Sequence, residues 1–68
     1  MKKAIIKGMC CQGCAREVKH ILENLYGITN VEVFCDEGYA VFDGYVSKKV
    51  IQNSLADAGY QLVEIESL

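Results

Sequence analysis

At 68 residues and 51% hydrophobic, the chain is long enough for one core and too short for two, because independent folding sets in at about 55 to 65 residues. A single domain over 1–68 is therefore expected. The net charge of −2, with seven Lys and Arg scattered along the chain, excludes the basic patch that a nucleic-acid binder needs, and no apolar run is long enough for a signal-peptide core or a membrane span.

Residues 2–8 read as a strand that closes at Gly8. From Gly13 or Cys14 the apolar positions Cys14, Val18, Ile21, Leu22 and Leu25 form one helical stripe, and Gly27 marks its end. Val31, Val33 and Cys35 alternate with Glu32 and Phe34 as in a half-buried strand. "DEG" at 36–38 is a hairpin turn, and 39–43 is the return strand. Ser47 stands where a helix N-cap belongs, with Ile51, Leu55 and Ala58 as the next apolar stripe and Gly59 as its stop. Residues 60–66 supply a last strand. The order βαββαβ predicts an α+β, ferredoxin-like split-βαβ sandwich, two helices on one face of a four-stranded antiparallel sheet. Because the elements alternate in direction, the loop after the first strand, the "DEG" turn and the Gly59-Tyr60 junction are expected to share one end.

Four cysteines in a chain with no secretion signal point to a reducing cytoplasm, where clustered thiols bind metal or exchange electrons rather than staple a fold. Three of them fall in "KGMCCQGCARE", residues 7–17. Cys11 and Cys14 stand three apart where a loop becomes a helix, so both sulfurs can converge while the helix dipole favours thiolates. Two thiolates with little else suit a soft, low-coordination ion such as Cu(I). A closed structural zinc site wants four ligands, and His20, the one histidine, lies six residues past Cys14 and far round the helix from it. His20 reads as a solvated side chain.

"GMCCQGC" at 8–14, Val18, Leu22, Leu25 and Gly27, "VEV" at 31–33 and "AGY" at 58–60 together resemble the heavy-metal-associated domain, the module of copper chaperones and of the cytosolic arms of metal-transporting P-type ATPases. The resemblance runs essentially end to end. It implies a βαββαβ fold in which Cys11 and Cys14 carry the ion and Met9 is tucked beneath the loop without ligating. It also places Tyr60 where bacterial copper chaperones have a tyrosine beside the metal loop, a role compatible with a half-buried aromatic that closes the core. Cys10 departs from the pattern, which has threonine or serine there. As a candidate third thiolate it would open the site to Zn(II), Cd(II) or Hg(II), although adjacent side chains tend to point apart. Cys35 is expected as core filler, since free cysteine behaves as a small hydrophobe. Its place before the "DEG" turn keeps a fourth thiol in view.

The expected function is that of a cytosolic metallochaperone-like protein, not an enzyme, that binds Cu(I) through its CxxC loop and passes it by thiolate exchange to a metal-transporting P-type ATPase or a similar domain. The alternatives are a Zn(II), Cd(II) or Hg(II) domain using Cys10, and a thiol redox module, since a CxxC at a helix start also serves disulfide exchange. The chain is short for a thioredoxin-like fold and contains no proline, so the cis-proline typical of such sites is missing. Met1 and a final strand lead us to expect a complete chain, with a piece excised from a larger transporter as the alternative. A monomer is expected without metal, and a metal-linked dimer is the alternative once extra thiols share ions.

Overall fold

The computed structural model describes residues 1–9 and 12–68; Cys10 and Cys11 lie outside the described residues. The elements are β1 (Lys2–Lys7), α1 (Gln12–Glu23), β2 (Ile28–Phe34), β3 (Tyr39–Gly44), α2 (Lys48–Asp57) and β4 (Gln61–Ser67). They build an antiparallel sheet in the order β2-β3-β1-β4, with α1 packed over β2 and α2 over β4 on the same face. This is the ferredoxin-like architecture expected from the βαββαβ order.

Helix α1 forms because its apolar residues recur at helical spacing. Val18 and Leu22 are fully buried, and Cys14, Ile21 and Leu25 pack partly against the same core. Ala15 is buried as well, a position too small to stand out in a stripe of larger side chains. The helix stops at Glu23, earlier than Gly27, and Leu25 reaches the core from the turn beyond it. In α2 the N-cap Ser47 accepts the Val50 N–H, and Ile51 and Leu55 are buried. Ala58 is the exposed C-cap residue rather than a core position. Across the sheet these helices meet Ala4, Ile6, Ala40, Phe42 and Leu62, all buried. At about 25 cal/mol per Å² of apolar surface removed from water, this one layer is what holds the two helices down.

Strand β2 starts at Ile28, three residues before its expected start at Val31. Its burial does not alternate through 29–30 because the register with β3 shifts between Thr29 and Glu32, so that Asn30 and Val31 together oppose Phe42. Asn30 takes φ 54° there, and one extra residue in a strand reverses the phase of its side chains. Cys35 also departs from expectation. The strand ends at Phe34, and Cys35 sits in the turn, half-buried, outside the core cluster. Core filler is therefore corrected: the turn carries Cys35 off the sheet before its side chain can point inward, and its sulfur lies 3.9 Å from Asp36 Oδ1.

Candidate metal centre

Three connections meet at one end of the sheet. Gly38 in the β2–β3 turn accepts the Ile6 N–H of β1 at 2.9 Å, which ties that turn to the exit of the first strand. At the end of α2, the Tyr60 N–H donates to Leu55 O and the Gly59 N–H to Ala56 O, with Gly59 at φ 92°. These paired bonds around a left-handed residue form a Schellman closure. It turns the chain sharply enough that Tyr60, just before β4, drops its ring into the core at 9% exposure. Gly8 lies against that ring. A Cβ there would stand 3.4 Å from Tyr60 Cδ1 and 3.5 Å from Gly59 O, and φ is 104°, so the loop after β1 seats closely on the Gly59-Tyr60 junction because residue 8 has no side chain.

Met9, the next residue of that loop, is partly buried against the core. Cys14 is half-buried in the first described turn of α1. Glu17, one turn further along the helix, accepts the Tyr60 hydroxyl proton at Oε1 over 2.7 Å. The Cys14 thiol group and Glu17 beside it, together with burial, hold the phenol well above the ordinary tyrosine range. All three causes favour the protonated phenol, because ionisation would remove the donor and set like charges side by side. Cys14, Glu17 and Tyr60 thus form one polar cluster. Sequence reasoning placed Cys14 and Tyr60 at this end and missed Glu17, whose bond to Tyr60 spans 43 positions and leaves no trace in local spacing.

Of the other sequence candidates, Cys10 and Cys11 lie outside the described residues, and His20 is exposed on α1. Cys35 is in the turn at the same end but on the far side of β3, because β2 is the sheet edge two strands from β1. Beside the helix start, a shallow groove between α1 and β2 is lined by Gln12, Ala15, Arg16, Lys19, Glu32 and Val33.

The model of the family described as "Heavy-metal-associated domain" matches residues 4–61. The chain belongs to the heavy-metal-associated domain family. It is 39% identical over 51 residues to heavy metal-associated isoprenylated plant protein 30 of Arabidopsis thaliana, a match covering 75% of this chain and 29% of that protein. The chain thus spans under a third of the length of the plant relatives it matches. It is 30% identical over 59 residues to the COP-associated protein of Helicobacter felis, covering 84% and 89% of the two chains. Among solved structures, oxidized MerP from Ralstonia metallidurans superposes with a TM-score of 0.83 at 25% identity over 93% of both chains. The N-terminal domain of ZntA in its Zn(II) form gives 0.78 at 28% identity, over 91% of this chain and 86% of that one. Heavy-metal-associated membership and this fold support heavy-metal binding. Among the described residues, no helix is long and apolar enough to cross a membrane.

Proposed function

We propose that this chain binds one soft metal ion, Cu(I), through the thiolates of Cys11 and Cys14 and passes it to a partner by thiolate exchange. The observation that carries the reading is Cys14 at the start of α1, three residues after Cys11 in a heavy-metal-associated sequence. A helix start favours the thiolate form, and two soft sulfurs satisfy a monovalent copper ion that wants few ligands. Transfer follows from such low coordination. A partner thiolate bonds to the ion before Cys11 or Cys14 lets go, so the ion is never bare and no electron moves.

In this reading the protein is a cytoplasmic carrier and not an enzyme. Its partner is a metal-transporting P-type ATPase or a similar small domain. Met9 supports the loop from below, and Tyr60 steadies Cys14. The Zn(II) form of the ZntA domain favours a second reading in which a divalent ion, Zn(II), Cd(II) or Hg(II), is held with Cys10 as a third thiolate.

Competition against a chromophoric Cu(I) chelator tests the first reading. Cys11→Ser and Cys14→Ser each lower affinity on the order of a hundred-fold or more, about 2.8 kcal/mol, with the far-ultraviolet circular dichroism spectrum unchanged. A single variant that competes as well as the parent removes that residue from the ligand set.

A further inference from the structure

Val33, Ala40, Ala4 and Ile65 pair in one row across the sheet and belong to the core beneath the helices. Because side chains alternate along a strand, the residues next to them point to the opposite face, away from α1 and α2. Two rows result there, each running from the β2 edge to the β4 edge: Glu32-Val41-Lys3-Glu66 and Phe34-Tyr39-Ile5-Glu64. Their middle is apolar. Phe34 is 37% exposed, its ring lies 5.1 Å from that of Tyr39, and Ile5, Tyr39 and Val41 are half-buried. Their ends are acidic, with Glu32 on the rim that this face shares with the groove beside α1. Lys3 pairs across the strands with Glu66 but lays its ammonium 4.3 Å over the Tyr39 ring. Among the described residues Glu32, Glu64 and Glu66 have no ion pair.

We propose that this face docks a basic amphipathic helix of a partner protein, its apolar stripe on Phe34, Tyr39, Ile5 and Val41 and its lysines or arginines over the carboxylates of the two edges. The dimensions suit one helix. Strand β1 has six residues, about 20 Å of extended chain, which a helix of about 14 residues matches. A helix about 10 Å wide covers about two strand spacings, the width of the apolar middle, and flanking lysines lay their stems on that middle while their charges reach the edges. The same edges exclude other occupants. A second copy stacked face to face with its strands aligned would set edge carboxylates over edge carboxylates, and the phosphates of a bilayer or a nucleic acid would meet like charge. A helix seated here leaves the β1–α1 loop at the end of the sheet open, so the proposal does not depend on which ion that loop holds.

The test uses the full chain and two synthetic helical peptides of about 14 residues with leucines at identical positions, one filled out with lysine and the other with glutamate. Amide chemical shifts follow each titration. The lysine peptide is expected to shift Ile5, Phe34, Tyr39 and Val41 and to bind on the order of ten-fold or more tightly than the glutamate peptide. Glu64→Lys combined with Glu66→Lys lowers its affinity by about the same factor, and Phe34→Ser lowers it as well, with circular dichroism spectra unchanged from the parent. Equal affinity for the two peptides, shifts confined to α1 and α2, or a double variant that binds like the parent overturns the inference. A dimer in sedimentation that Phe34→Ser abolishes also overturns it and gives the face to a second copy. Adsorption to phosphatidylserine vesicles that Phe34→Ser abolishes overturns it in favour of a membrane.

Discussion

Tyr60 joins two jobs in one side chain. Its ring fills the core at the end of the sheet, while its hydroxyl donates to Glu17, one helical turn from Cys14. Substituting Phe keeps the ring and removes only the O–H. A hydrogen bond to a charged group contributes about 1.5 to 3 kcal/mol, so Cu(I) retention in Tyr60→Phe falls about ten-fold with the melting temperature nearly unchanged. Chelator competition and a thermal melt on the same samples check both halves. Cys35 is the opposite case, a cysteine whose apolarity the fold does not use. Half-buried in a turn and outside the core, it tolerates Cys35→Ser within about 0.5 kcal/mol, whereas a hydroxyl forced into a core position would cost about 1 to 3 kcal/mol. Urea midpoints measure the difference. The variant also loads one Cu(I) per chain, like the parent. A parent that loads more, through a cluster including Cys35, contradicts the single-ion account.

Helix α2 shows how far element reading goes. Ser47, Ile51, Leu55 and Gly59 mark its cap, its buried face and its stop, and each signal is local, so a sequence window contains it. The cap is directly testable: Ser47 Oγ accepts the Val50 N–H at 3.3 Å, and Ser47→Ala costs about 1 kcal/mol, a fall in melting temperature of about 4 to 8 °C for a domain of this size. An unchanged melt would mean that the Val50 N–H is satisfied by Ser47 O, to which it also donates at 3.1 Å. Strand β2 was less legible because Asn30 inserts an extra residue and breaks the two-residue period on which strand reading relies. Ile28 is buried on the near side of that break, where alternation counted from Val31 no longer points to it. Cys35 was misplaced for the related reason that turn onset, unlike alternation, is fixed by pairing with β3.

At the scale of the whole molecule, the alternation of six elements brings the β1–α1 loop, the β2–β3 turn and the α2–β4 junction to one end, as the element order alone foretells. The sequence could not show which side chains touch there. Gly8 against Tyr60 and Tyr60 against Glu17 join residues 52 and 43 positions apart, and only the closed sheet sets them side by side. In the reading proposed above, this end carries the metal chemistry, and the thiol spacing gives a Cu(I) ion its preferred number of ligands. X-ray absorption at the copper edge of the Cu(I)-loaded chain tests that account most directly. It predicts two sulfur neighbours and no copper–copper vector, with the same count in Cys10→Thr; three sulfur neighbours in the parent, or a copper–copper vector, would contradict a single ion carried by Cys11 and Cys14 alone.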